Sequence, residues 1–171
     1  STADRYGSVA IAIHWASALG VILAFVAVTM MVNSADVPPG LLISHIVLGV
    51  GVLVLTLLRI LWWVAADKHP APPANQPRWQ ATLARIVHSL LYVILILMAA
   101  SGIATVIAAG AIPSLASGQG VPNFDGIIPR LAHGAMSKVL LGLFVLHVGA
   151  ALYHQFIRRD QLLARMGVGR A

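Results

Sequence analysis

Four long apolar stretches, at roughly 9–32, 41–66, 83–109 and 131–157, leave this chain few ways to fold. Each exceeds the ~20 residues a helix needs to cross a hydrocarbon core about 30 Å thick. Their apolar residues do not confine themselves to one stripe, as they would on a helix of a water-soluble bundle. None of the five acids, Asp4, Asp36, Asp67, Asp125 and Asp160, falls inside a stretch. The composition agrees: 59% of the residues are hydrophobic and 9% charged, where a soluble domain carries about 25% charged residues. The first stretch is too long for a cleaved signal peptide and lacks a small-residue cleavage site. The expected fold is an all-α membrane protein, a four-transmembrane-helix up-down bundle forming a single domain over residues 1–171.

The breaks are marked by their chemistry. Residues 33–40 make a short turn, 67–78 a proline-rich loop that cannot stay helical, and 110–129 a longer Gly/Pro/Ser loop. Arg5, Lys68, Arg78, Arg85, Arg158, Arg159, Arg165 and Arg170 fall on the side shared by both termini and the proline-rich loop. The opposite side has Arg130 and, just inside the last helix, Lys138. The positive-inside rule therefore predicts that both termini are cytoplasmic. The net charge of +6 marks that face and calls for no nucleic acid.

The absence of cysteine excludes haem attachment through C-x-x-C-H, iron–sulfur ligation and thiolate zinc sites. Histidine, present seven times, is left as the strong soft-metal ligand. His45 and His133 open the second and fourth stretches at the outer face. His14 opens the first and His88 lies early in the third, both at the inner face. His147 follows His133 by fourteen residues, a rise of about 21 Å that returns to within about 40° of the same helix face. Two side chains so placed sit one above the other near opposite sides of a bilayer. That is the layout of two stacked haems and of an electron path between them. A lone histidine at a helix end commonly just hydrogen-bonds a neighbour or water, but four at paired depths on three helices ask for ligation. His88 and His154 are then surplus to the ligand count, and His69, between Lys68 and Pro70, reads as a solvated loop residue.

Arg59 lies fourteen residues after His45, in the phase His147 has to His133. An arginine inside a span costs about 2.5–3.5 kcal/mol unless it snorkels or finds an anion. With no intramembrane carboxylate in the sequence, a haem propionate would supply that anion; snorkelling to the interface is the alternative. The same lack of acids argues against a proton pump or cation transporter. Gly49 and Gly102 would admit a flat macrocycle, although glycines also occur at plain helix contacts.

Taken together, Ile13-His14-Trp15, Ser44-His45-Ile46 with Gly49 and Arg59, Ile86-Val87-His88 with Tyr92, and Ala132-His133 through Leu146-His147 to His154 resemble the bacterial cytochrome b561 family of four-helix di-haem b cytochromes. The resemblance runs from about Arg5 to Met166. Members include a superoxide oxidase, and cytochrome b subunits of formate dehydrogenase and nickel–iron hydrogenase are relatives. The resemblance implies two haem b groups, the inner iron held by His14 and His147 and the outer by His45 and His133. It puts His88 and His154 near a quinone and proton site on the cytoplasmic side. It implies an inner-membrane protein surrounded by lipid that passes electrons to ubiquinone, with superoxide or another periplasmic or membrane donor at the outer haem. Arg130 and Lys138 would then attract an anionic donor. The loop 110–129 and the stretch after His133 depart from the superoxide oxidase pattern. A cytochrome b subunit relaying electrons between quinone and a partner redox subunit is the alternative. A cofactor-free transporter or structural bundle is the alternative of another class, which b-type absorption bands would exclude.

Overall fold

The computed structural model describes residues 1–2, 5–67, 70 and 76–169. His69, Lys68, Asp4 and Arg170 lie outside the described residues. Four helices are long and apolar enough to cross a membrane: α1 (Ser8–Val32), α2 (Pro39–Ala65), α3 (Arg78–Ala108) and α5 (Ile128–Tyr153), the last prolonged by a π-helical turn, His154–Arg158. Two short helices join them, α4 (Ala111–Ala116) in the loop between α3 and α5, and α6 (Leu162–Arg165) in the tail. No strand occurs among the described residues.

Proline and glycine set the boundaries. Pro38 and Pro77, both extended, precede α2 and α3, and Pro39 and Pro129 sit in the first turns of α2 and α5, where a missing N–H costs nothing. Gly110, at φ 59°, takes the left-handed conformation that ends α3 and opens α4. The third helix begins at Arg78, five residues before its apolar run. Pro77 starts it at once, and the turn holding Arg78 and Gln80 extends it beyond the apolar part.

α1 packs along α2 and α3 along α5, and the two hairpins meet mainly through α2 and α3. A Cβ on Gly20 would stand 2.8 Å from Val52 Cγ2, so this glycine permits the close approach of α1 to α2. Polar side chains within the spans answer their own backbone. The hydroxyls of Ser17, Thr56 and Thr105 each donate to the carbonyl four residues back, at 2.7 Å. Large apolar side chains point outward instead, Val47 at 63% and Val145 at 62% exposure, as lipid-facing surfaces require. The Trp15 indole donates to the Met166 carbonyl at 3.0 Å, and the Tyr6 amide to the Arg165 carbonyl at 3.2 Å. Ser1 Oγ and Trp62 Nε1 both donate to Asp67 Oδ2. The two terminal segments and the start of the α2–α3 loop thus share one end of the bundle.

Candidate functional site

At the other end, His45 on α2 faces His133 on α5 with ring centroids 6.1 Å apart and planes 85° to each other. Both rings are held the same way. His45 Nδ1 lies 3.0 Å from the Ala24 carbonyl and His133 Nδ1 2.9 Å from the Met98 carbonyl. A carbonyl only accepts, so each Nδ1 carries the proton and each Nε2 keeps a lone pair. This is the support by which proteins orient metal-binding imidazoles. Ser101 Oγ also approaches His133 Nδ1, at 3.2 Å. A Cβ on Gly102 would stand 3.1 Å from His133 Cε1, so the ring packs closely against this glycine.

These rings line a cavity of about 1500 Å³ bordered by all four long helices. Gly49 lines it too, and a Cβ there would meet nothing within 4 Å. Arg130 and Lys138 border the same space, and so do Asp36 and Asp125.

Toward the terminal end, His14 on α1 faces His147 on α5, again with centroids 6.1 Å apart, at 63°. Two imidazoles that bind one metal from opposite sides, through bonds of about 2 Å each, have ring centres about 6 Å apart once a ring radius of about 1 Å is added on both sides. Both pairs have that separation. The inner pair has a third neighbour: His88 on α3 lies with its ring centroid 5.2 Å from that of His147. Arg59 Nη1 reaches His14 Nδ1 at 3.0 Å and its guanidinium carbon lies 5.9 Å from the Tyr92 ring centre. Arg59 Nε is buried with no hydrogen-bond partner. A buried guanidinium N–H so placed is suited to an anionic oxygen, and it fits the expectation of a carboxylate-bearing macrocycle at this depth.

The structure gives His88 and His154 different neighbours. His154, expected at the water boundary, is 8% exposed. Its Nδ1 pairs with Asp160 Oδ2, and Arg158 Nε lies 3.6 Å from the same oxygen. Asp160 had no role in the sequence reading. The available signal was its place as the one acid of the basic tail, six residues after His154. The Ala24 and Met98 carbonyls that orient the outer rings leave no mark on a sequence, since any residue supplies a carbonyl.

Residues 5–169 match the sequence family described as prokaryotic cytochrome b561. The chain is similar to the "Probable superoxide oxidase CybB" of Yersinia pestis, 28% identical over 169 residues that cover 95% of each chain. It is similar to the "Cytochrome b561 homolog 1" of Escherichia coli K12, 28% identical over 176 residues covering 95% of this chain and 97% of that one. With four membrane-length helices that bring histidines together at both ends and a family match over nearly its whole length, this chain belongs to the prokaryotic cytochrome b561 family, membrane proteins of electron transport that bind haem b.

Proposed function

We propose that the whole chain, residues 1–171, is a di-haem cytochrome b that carries electrons across the bacterial inner membrane to ubiquinone, with superoxide as donor. The observation that carries this reading is the pair of facing histidine couples, each with 6.1 Å between ring centres. The name of the Yersinia relative supports the choice of donor. His45 and His133 would hold the outer haem, and His14 and His147 the inner one. Each haem would supply reversible one-electron chemistry at its iron. The arginine and lysine distribution supports placing both termini in the cytoplasm. The decisive experiment adds superoxide to the oxidised protein and then a short-chain ubiquinone, following the b-band absorption. Reduction by the first and reoxidation by the second are expected; haems that superoxide leaves oxidised would remove the proposed donor.

The outer charges favour a second reading. Arg130 and Lys138 are matched by Asp36 and Asp125 around one cavity, which leaves no net pull on an anion. That balance suits a neutral or protein-borne donor, such as a partner redox subunit. A superoxide reaction that neither added salt nor Lys138→Gln slows would show that steering plays no part.

Protein groups fix the remaining chemistry. At the outer pair the two carbonyl-bound Nδ1–H groups leave Nε2 of each ring free, and these nitrogens would hold the haem iron. At the inner pair, ligation by His14 Nε2 requires the same tautomer, which the donating Arg59 opposes. With a haem bound, Arg59 would instead hold its carboxylates, and its positive charge would favour the reduced iron. Arg59→Leu is expected to lower the midpoint potential of the inner haem and leave the outer one in place. An unchanged inner potential in a redox titration would assign Arg59 to the interface instead.

His154, about two turns past His147 on nearly the same face, is the proposed hydrogen-bond donor to the quinone, with His88 beside it at the inner depth. His154→Ala should keep both haems and their reduction by an outer donor while slowing reoxidation by ubiquinone. Loss of a haem in that variant would instead make His154 a ligand.

A further inference from the structure

We propose that Asp160 is a positioning residue that holds the His154 imidazole in its proton-donating form at the quinone site, a role that rests on the reading of His154 given above.

The backbone is built to bring this carboxylate back onto the helix it follows. α5 widens at its end into the π-helical turn His154–Arg158, a form frequent at functional sites. The Asp160 amide closes the turn on the His154 carbonyl at 3.2 Å. Arg159, at φ 55°, and Gln161, at φ 57°, flank Asp160 in the left-handed region that side chains seldom adopt. They are the two non-glycine residues with positive φ among those described. Backbone of this kind persists where the surroundings impose it, and it gathers at functional sites. Here it aims one carboxylate at one buried imidazole. Arg158 holds the same carboxylate oxygen from 3.6 Å and reaches Gln80 Oε1 of α3 at 3.2 Å, tying the turn to the bundle. Asp160 Oδ1 is buried without a hydrogen-bond partner.

The surrounding charges give the carboxylate its purpose. The turn itself carries Arg158 and is followed by Arg159. α6 contributes Arg165, and the near end of α3 carries Arg78 and Arg85. Tyr153, 5.8 Å from the His154 ring by centroids, is neutral. Among these groups Asp160 is the one anion. With it, the Nδ1–H is held and the imidazolium can give its Nε2 proton to a quinone oxygen. Two electrons, delivered singly by a reduced haem b, and two protons convert the quinone to the quinol. Each proton that His154 gives leaves a neutral imidazole, which regains one from water at the cytoplasmic end.

The test uses purified haem-loaded protein, pre-reduced and mixed with a short-chain ubiquinone across a range of pH. Asp160→Asn should retain both haem spectra and nearly the same quinone KM. The saturating rate should fall by at least roughly ten-fold. The dependence of that rate on pH should differ from that of the wild type. Asp160→Glu should recover part of the rate. If Asp160→Asn does not accumulate, the test passes to Asp160→Glu, whose longer side chain must change the rate–pH profile without changing KM. A wild-type profile in the variant measured, alongside slow reoxidation in His154→Ala, overturns the role of Asp160 and keeps the quinone site. Wild-type reoxidation in both His154→Ala and Asp160→Asn removes the quinone site from this turn altogether.

Discussion

Replacing His133 with alanine should take the protein from two haems per chain to one, with the inner haem retained. The ring faces His45 at 6.1 Å, and the variant would leave one imidazole of the pair to hold the outer haem, which should then be lost on purification. His147→Ala should delete the inner haem in the same way, leaving the outer one. His45→Ala should reproduce the loss caused by His133→Ala, and His14→Ala that caused by His147→Ala. Two deletions on one helix, fourteen residues apart, would thereby empty opposite ends of the molecule. His88→Ala is the control. Its ring touches the inner cluster, yet two ligands per haem leave it outside the coordination, so both haems should remain. Pyridine haemochrome counts per chain, with redox titration to identify which haem is left, decide the matter. A wild-type protein with one haem or none sinks the proposal, and so does a His133→Ala variant that still carries two.

The sequence alone conveyed the parts of this molecule that depend on composition and helical period. The four spans follow from their apolar length, and the 14-residue spacing on α5 separates His133 and His147 along that helix. What it could not convey depends on backbone geometry. The orientation of the outer rings comes from two carbonyls, at Ala24 and Met98, which are independent of residue type. The carboxylate on His154 comes from a π-turn and two left-handed residues that a reader assigns to an ordinary basic tail. The short α4 was hidden in a Gly/Pro/Ser loop because its six residues are too few to show a period. The approach of His88 to His147 depends on how α3 is rotated against α5, which spacing along α3 does not record.

A glycine provides the sharpest test of how the outer site is built. Gly102 on α3 faces the edge of the His133 ring, where a Cβ would stand 3.1 Å from Cε1 and 3.3 Å from Nδ1. A shift of a few tenths of an ångström would relieve an alanine there. The ring has little freedom to shift, because Nδ1 is tied to the Met98 carbonyl at 2.9 Å and approached by Ser101 Oγ at 3.2 Å. A valine adds two methyl groups, and in a helix its χ1 is nearly fixed, so it cannot turn aside. The ring must then leave the carbonyl that fixes its tautomer and its place opposite His45. Gly102→Val should therefore lose the outer haem as His133→Ala does, while the inner haem, at the far end of α5, keeps its potential. Gly102→Ala should fall between, retaining two haems with an altered outer potential. Gly142→Val on α5, where an added Cβ meets nothing within 4 Å, should behave as wild type. Two haems at wild-type potentials in Gly102→Val would show that His133 tolerates displacement, and would move the cause of its placement from α3 to the haem itself.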